Sequence, residues 1–311
     1  MTHPAPRHTG HGHPAGPAAP ATHGHPAHAH THPGRSHRDD LPDGLAEMLD
    51  LDAGLFAPHI AGLTGRIARL ARGPVTRVVD LGAGTGAGTF ALLERFPDAR
   101  VTAVDTDQDM LARITATARA RGLGERVRTL EADAGAGLPG VEGADLVWAS
   151  ASLHHVEDPV AALAGVRAAL RPGGLLAVAE LDGLPRFLPD DAVPARPGVE
   201  ERCRALLDAV HAERVPHLGA DWSALLAAAG LTVEEERTDR LALRAPLPES
   251  AGRYAHLVLA RIRTAVEERA DPADRTALDT LLDGGPQDVR RRGDLVVRST
   301  RGTWIARRPA A

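Results

Sequence analysis

The sequence predicts an α/β fold with a doubly wound, mostly parallel sheet and helical lid insertions. Between residues 75 and 181, short apolar segments rich in β-branched residues alternate with segments of helical periodicity. This alternation is typical of parallel strands joined by crossover helices that cover both faces of a sheet. Polar residues follow the ends of several predicted strands, which is where ligands bind in such sheets.

Helices and strands can be assigned in order along the first part of the chain. One or two helices are predicted between Leu41 and a stop at Gly73 and Pro74. A glycine-rich turn separates the first strand from the helix that follows it, and residues 171–174 form a second turn. The predicted strands are 75–81, 100–105, 127–131, 144–149 and 175–181. Of the three helices between them, the first ends near residue 96 and the other two span 109–121 and 159–170.

After Asp182 the alternation stops, and two segments, 183–219 and 245–293, are interpreted as lid or insertion segments. Residues 183–219 are rich in proline and charge. Helical spacing of apolar residues in 245–293 favours a helix packed on the sheet, with a cap over an acceptor site or a homodimer surface as alternatives. Further helices are predicted at 199–214, 221–229 and within 249–283, and strands at 232–243 and 294–306.

The first 40 residues differ from the domain predicted at 41–311. They hold ten of the 16 histidines among Pro, Gly, Ala and Thr, with almost no large apolar residue. Such a segment buries too little surface to offset the entropy of ordering, so disorder is expected. Its imidazoles predict weak affinity for divalent metals, but the spacing is not that of a closed metal site.

Composition excludes several classes of function. The net charge of −5 argues against a nucleic-acid partner, and no apolar run is long enough for a membrane span. No secretory signal follows Met1, so a cytoplasmic location is expected. The single cysteine, Cys203, allows no intramolecular disulfide and is expected to be buried or idle. The sequence contains neither Lys nor Asn, so neither can be a catalytic group.

The glycine-rich turn after the first strand predicts a ligand site. Gly82, Gly84 and Gly86 allow a sharp turn and close backbone approach, and the following helix begins with free N–H groups that favour an anion. The spacing also fits a dinucleotide site, with Asp105 placed to hold a ribose. An NAD(P)-dependent oxidoreductase therefore remains an alternative at this point.

Three further features favour S-adenosylmethionine (SAM) over a dinucleotide. Asp80 precedes the first glycine by two residues, where it could approach the methionine ammonium. Asp133, after the third strand, could accept a hydrogen bond from an adenine amino group. The Leu170–Gly174 segment (LRPGG) leads into the fifth strand.

Residues 75–182 resemble class I SAM-dependent methyltransferases of the small-molecule type that includes ubiquinone and menaquinone biosynthesis enzymes. The resemblance rests on LRPGG and on Val78–Gly86 (VVDLGAGTG), Val104–Met110 (VDTDQDM), Glu131–Asp133 (EAD) and Asp145–His155 (DLVWASASLHH). It implies a Rossmann-like fold and a cytoplasmic enzyme that binds SAM and releases S-adenosylhomocysteine. The cofactor-binding residues that it implies are Asp80, Gly82, Gly84, Gly86, Asp105, Thr106, Met110, Asp133, Ala134 and Ser150.

Methyl transfer to a small molecule needs a base only if the acceptor must lose a proton, and histidine is the usual candidate. His154 and His155 follow the fourth strand and are the catalytic candidates. The run after that strand lacks the prolines of DNA amino-methyltransferases, and no metal site is predicted in the domain. A non-catalytic SAM-binding or metal-binding protein is the third alternative. Glu180, Asp182, His211 and His217 are the candidates for contacting the acceptor.

Overall fold

The computed structural model describes residues 44–215 and 217–310. The predicted His-rich segment, with the disorder and weak metal affinity expected of it, lies outside these residues. Among the helices described, none combines the length and the apolar character required to cross a bilayer.

The described residues form one seven-stranded sheet. Its strands are β1 (Arg77–Leu81), β2 (Arg100–Asp105), β3 (Val127–Glu131), β4 (Ala144–Ser150), β5 (Leu170–Leu181), β6 (Thr232–Leu243) and β7 (Val297–Arg307). The strand order is β3-β2-β1-β4-β5-β7-β6. Strands β1 to β5 are parallel, and β7 runs antiparallel to both of its neighbours.

Helices cover both faces of the sheet, which confirms the predicted doubly wound, mostly parallel α/β fold. Leu63 and Leu92 pack on one face, and Leu163 and Leu226 pack on the other. Strand β4 is buried up to Ser150, as expected for a strand covered on both sides. The helices are α1 (Leu45–Leu55), α2 (Ala57–Leu70), α3 (Ala87–Arg95), α4 (Gln108–Ala120), α5 (Pro159–Ala169), α6 (Val199–Arg214), α7 (Trp222–Ala228), α8 (Ser250–Ala265) and α9 (Pro272–Leu282).

Strand β5 begins at Leu170, earlier than the predicted start at residue 175. Ala144 pairs with Leu170 and Leu146 pairs with Leu175, so residues 171–174 form an irregularity within the strand. Gly173 has a φ of 79° there. Residues 171–174, which were predicted to form a turn before the strand, instead bulge between two paired positions within it.

Helices α1, α6, α8 and α9 share an apolar core, and we call these four helices the cap. Tyr254, Val258 and Ile262 of α8 are buried in it, together with Cys203 of α6. The segment 245–293 thus packs mainly on other helices, and not on the sheet as the sequence favoured. Burial raises the pKa of the Cys203 thiol to about 11, which agrees with the expected idle cysteine.

Candidate active site

The glycine turn has the left-handed backbone that its sequence predicts. Gly82, Gly84 and Gly86 have φ angles of 67°, 52° and 89°. A Cβ atom added to Gly82 would lie 2.3 Å from the Cβ of Ser152, and one on Gly86 would lie 2.8 Å from the Cγ1 of Ile114. Glycine is therefore required here by both the backbone angles and the neighbouring atoms.

Asp105, at the end of β2, fixes the glycine turn from the side. Its Oδ2 accepts a hydrogen bond from the Gly84 N–H at 2.8 Å, and its Oδ1 accepts one from the Asp107 N–H at 2.9 Å. Asp107 in turn caps helix α4. The half-exposed Asp105 carboxylate thus joins two backbone segments and keeps lone pairs that could accept from ribose hydroxyls.

Asp80 lies beneath helix α3, in a fully buried position. Its Oδ2 accepts a hydrogen bond from the Thr89 hydroxyl at 2.6 Å. Burial raises the pKa of Asp80 to about 6, with the nearby Asp105 adding to the rise and the bonds from Thr89 opposing it. In this position the Asp80 carboxylate contacts α3. The contact of Asp80 with the ammonium group of the cofactor stays a prediction.

The predicted adenine-side residues lie at the same edge of the sheet. Asp133 accepts a hydrogen bond from the Gly135 N–H at 2.8 Å and so caps a short turn that starts at Ala134. Thr106 is exposed and Met110 is half-buried at the start of α4. These placements are compatible with the predicted roles, which remain predictions.

A strained loop follows β4 beside the glycine turn. Ala151, directly after the half-buried Ser150, has a φ of 50°, and within the described chain it is the one residue other than glycine with a positive φ. The Ser152 hydroxyl donates to the Leu81 carbonyl at 3.0 Å. Backbone strain of this kind persists where surrounding contacts impose it, and it often marks functional sites. No role was predicted for Ala151 or Ser152, although both belong to the Asp145–His155 motif.

Glu180 and His154 form the central polar contact of this loop. The Nδ1 atom of His154 lies 2.5 Å from Oε2 of Glu180, and Oε1 of Glu180 accepts hydrogen bonds from the N–H groups of Ser152 and Leu153. Both side chains are buried. The oxygens of Glu180 hold the loop and orient the imidazole, and the predicted contact of Glu180 with the acceptor stays a prediction.

The other predicted residues lie around this pair. The exposed His155 ring lies 4.1 Å from that of His154, and Asp182 is exposed after β5. Burial lowers the pKa of His211 on α6, Asp208 opposes this, and Arg261 and His154 lower it further. His217 Nε2 lies 3.3 Å from the Glu157 carbonyl oxygen, so the segment that follows α6 approaches the loop after β4.

Helix α1 closes over the glycine turn, a contact that the sequence analysis missed. A Cβ on Gly84 would lie 3.3 Å from Cδ1 of Leu49. Asp52 on the same helix accepts a hydrogen bond from the Tyr254 hydroxyl at 2.5 Å and another from Arg301 at 2.7 Å. The helical spacing of α1 showed an amphipathic helix, but nothing in it indicated which strand ends the helix covers.

The site is built from a glycine turn, carboxylates at the ends of β2 and β5, and a histidine. No group of three or more metal-binding side chains is found within the part of the chain that the structure describes.

Comparisons with known proteins agree with this arrangement. Residues 79–176 match the family model described as a methyltransferase domain. The trans-aconitate 2-methyltransferase of Enterobacter sp. (strain 638) is 35% identical over 148 residues, which are 47% of this chain and 56% of that protein. The Streptomyces avermitilis enzyme of the same name is 37% identical over 121 residues, 39% and 44% of the two chains. The chain spans about half the length of these curated relatives.

Solved structures show the same fold over a larger part of the chain. A Galdieria sulphuraria protein described as a candidate sarcosine dimethylglycine methyltransferase has a TM-score of 0.50 and 16% identity, covering 81% of this chain and 86% of its own. A candidate methyltransferase from Bacillus halodurans C-125 also has a TM-score of 0.50, with 18% identity and coverage of 79% and 99%. The predicted resemblance to SAM-dependent methyltransferases is thus confirmed in sequence for residues 79–176, and the solved structures show the fold.

Proposed function

We propose that this chain is a SAM-dependent methyltransferase that methylates an oxygen atom of a small-molecule acceptor. The observation that carries the proposal is the glycine turn held by Asp105 at the carboxyl edge of a sheet whose residues 79–176 match a methyltransferase domain. When bound, SAM supplies a methyl group on a positively charged sulfur, so the protein must align and prepare the acceptor.

The residues at the turn fit this cofactor. The three glycines leave room that a Cβ would fill, and the start of α3 presents N–H groups suited to the methionine carboxylate. Asp105 is assigned to the ribose hydroxyls and Asp133 to the adenine edge. Ser150 is assigned to the neighbourhood of the reactive methyl. Leu49 of helix α1 would keep water away from the turn.

His154 is proposed as the base that prepares the acceptor. With Nδ1 directed at Glu180, the imidazole can use Nε2 to take the proton that an acceptor hydroxyl loses as its oxygen is methylated. The Glu180 carboxylate stabilises the imidazolium that results. This arrangement favours an oxygen acceptor over a sulfur acceptor, since a hydroxyl loses its proton less readily than a thiol and gains more from a positioned base.

The similarity to trans-aconitate 2-methyltransferases supports a second candidate acceptor, a carboxylate. A carboxylate is already ionised near neutral pH and does not need His154 as a base. The two acceptor types therefore differ in their dependence on the same side chain.

The topology argues against the oxidoreductase alternative. Dinucleotide-binding sheets have the parallel order 3-2-1-4-5-6, whereas here the antiparallel strand β7 lies between β5 and β6. A cytoplasmic location, a homodimer through residues 245–293, the limits of the lid segments and a weak metal affinity of residues 1–40 remain proposals that rest on the sequence.

The direct test is transfer of isotope-labelled methyl groups from SAM to pools of small hydroxy compounds and carboxylates, separated by mass spectrometry. A labelled product formed by the wild-type protein and lost in Asp105→Ala supports the proposal. Absence of transfer to every pool, with S-adenosylhomocysteine bound normally, would instead support a SAM-binding protein without this activity.

A further inference from the structure

The hydroxyl of Ser152 is bonded to a different strand and not to its own loop. Ser152 precedes the short helical turn Leu153–His155, and a serine in that position usually accepts from the N–H groups of the turn. Here its hydroxyl makes no such capping bond and donates to the carbonyl of Leu81, the last residue of β1. Glu180 accepts from the N–H groups of Ser152 and Leu153. The Ser152 hydroxyl is therefore available to connect two segments.

The loop after β4 and the glycine turn are held by separate sets of backbone bonds. The loop is bonded to β5, because the Ala151 N–H donates to the Ala179 carbonyl at 2.8 Å in addition to the two bonds that Glu180 accepts. The turn is bonded to β2, because the Gly82 N–H donates to the Val104 carbonyl at 2.8 Å. Neither of these sets connects the loop with the turn.

The side chain of Ser152 makes this connection. Its Oγ lies 3.0 Å from the Leu81 carbonyl oxygen, directly before the turn. It also fills the space beside Gly82, where an added Cβ would lie 2.3 Å from the Cβ and 2.9 Å from the Oγ of Ser152. The packing prevents the turn from moving closer to the loop, and the hydrogen bond opposes movement away from it. The spacing between the glycine turn and His154 is therefore set at this side chain.

We propose that Ser152 is a positioning residue for methyl transfer, which sets the methyl donor bound at the glycine turn in line with the acceptor at His154. The inference rests on the proposed function. In that reaction the acceptor oxygen forms a bond to the methyl carbon as the carbon–sulfur bond breaks, the electron pair stays on sulfur, and the hydroxyl proton passes to Nε2 of His154. A misplacement of about 1 Å can lower the rate of such a reaction about 100-fold.

The test measures methyl transfer and cofactor binding separately in Ser152→Ala, which keeps the Cβ and removes the hydroxyl. Transfer is followed through a single turnover of the full chain saturated with isotope-labelled SAM, with the hydroxy compound that the wild-type protein methylates fastest. The rate constant should fall about 10- to 100-fold, because alignment is lost. Calorimetry should show one bound S-adenosylhomocysteine per chain, with a dissociation constant within about threefold of wild type, since the glycines and Asp105 are unchanged.

The pH dependence separates positioning from loss of the base. In Ser152→Ala the contact between Glu180 and His154 is kept, so the pH–rate profile should keep its midpoint while its height falls. Ser152→Cys places a weaker donor at the same position and should recover part of the rate; it is also the variant to measure if Ser152→Ala does not fold.

Ser223→Ala is the matched control, because it removes a hydroxyl that donates to Glu236 at 2.7 Å between α7 and β6. Its rate constant should change less than about threefold, as expected for a substitution at an exposed contact.

Four results would overturn the inference. The variant may transfer methyl groups at the wild-type rate, lose as much affinity for S-adenosylhomocysteine as it loses rate, or shift the midpoint of the pH–rate profile; or Ser223→Ala may lose as much rate. If wild type binds S-adenosylhomocysteine but methylates no compound, the proposed function fails and the inference fails with it. If wild type transfers methyl groups and the Ser152 variants match it, only the positioning role of Ser152 fails.

Discussion

Nδ1 of His154 lies 2.5 Å from Oε2 of Glu180, and this contact joins the end of β5 to the strained loop after β4. The same carboxylate also binds two N–H groups of that loop through its other oxygen. A buried carboxylate that orients a histidine and fixes the loop around it is an arrangement suited to a positioned base.

The first prediction concerns this pair. His154→Ala should lower kcat about 10²- to 10⁴-fold with a hydroxyl acceptor, because a positioned base contributes about that much. Glu180→Gln should lower it less, and both variants should keep their affinity for S-adenosylhomocysteine within about threefold, since neither residue is assigned to the cofactor. With a carboxylate acceptor the loss should be small. An equal loss with both acceptor types would show that His154 acts on structure and not as a base.

The second prediction concerns the glycine turn. Gly82→Ala should abolish binding of S-adenosylhomocysteine, because the new Cβ would lie 2.3 Å from the Cβ of Ser152. Gly122→Ala is the control: Gly122 also has a positive φ, 71°, but its added Cβ has no atom within 4 Å. Calorimetry should show normal affinity for the control. If both variants bind alike, crowding at Ser152 is not what requires glycine.

The third prediction uses the raised pKa of Asp80, about 6. The ionised carboxylate is less favourable in the folded chain, so its contribution to the free energy of unfolding falls as the pH rises from about 4 to about 6. Asp80→Asn carries no charge and lacks this fall. In urea unfolding, the free energy of unfolding of Asp80→Asn, relative to that of wild type, should therefore rise by up to about 3 kcal/mol between pH 4 and pH 7.5. This value corresponds to a shift of about two pKa units.

A difference between Asp80→Asn and wild type that does not change with pH would contradict the raised pKa. The same variant tests the predicted contact with the cofactor ammonium. Unchanged affinity for S-adenosylhomocysteine would confine Asp80 to its structural contact with Thr89.

The fourth prediction concerns the contact between helices α1 and α8. Tyr254→Phe removes a buried hydroxyl that donates to Asp52 at 2.5 Å, and it should lower the free energy of unfolding by about 1.5–3 kcal/mol, as expected for a hydrogen bond to a charged group. Glu47→Gln, at an exposed ion pair between the same two helices, is the control and should cause no measurable change. Equal effects in urea unfolding would show that burial at Tyr254 is not decisive.

Much of the fold could be predicted from the sequence because its elements have strong local signals. Strand β2 and strand β6 begin and end where the sequence predicts, since turn residues precede both of them, Pro97 and Asp98 in one case and Gly230 in the other. The glycine turn was also predictable, because glycine adopts its left-handed backbone angles without the steric cost that a Cβ brings. Its contact with Asp105 follows from two strands ending at the same edge.

The contacts that depend on distant segments could not be predicted. Glu180 contacts His154 because β4 and β5 are adjacent in the sheet. The sequence does not distinguish a carboxylate that contacts the acceptor from one that binds a histidine. Leu49 covers Gly84 through a helix whose docking the sequence does not specify. Likewise, residues 245–293 have helical spacing that fits a sheet or another helix equally well, and the packing of the cap decides between them.

The most direct test of the central claim is calorimetric titration of the full chain with S-adenosylhomocysteine and, separately, with NADH. The account predicts one bound S-adenosylhomocysteine per chain and no heat from NADH. Asp105→Ala should lose this binding, and Asp98→Asn, at an exposed carboxylate after α3, should keep it. Binding of NADH without S-adenosylhomocysteine would contradict the assignment of the glycine turn to a methyl-donor cofactor.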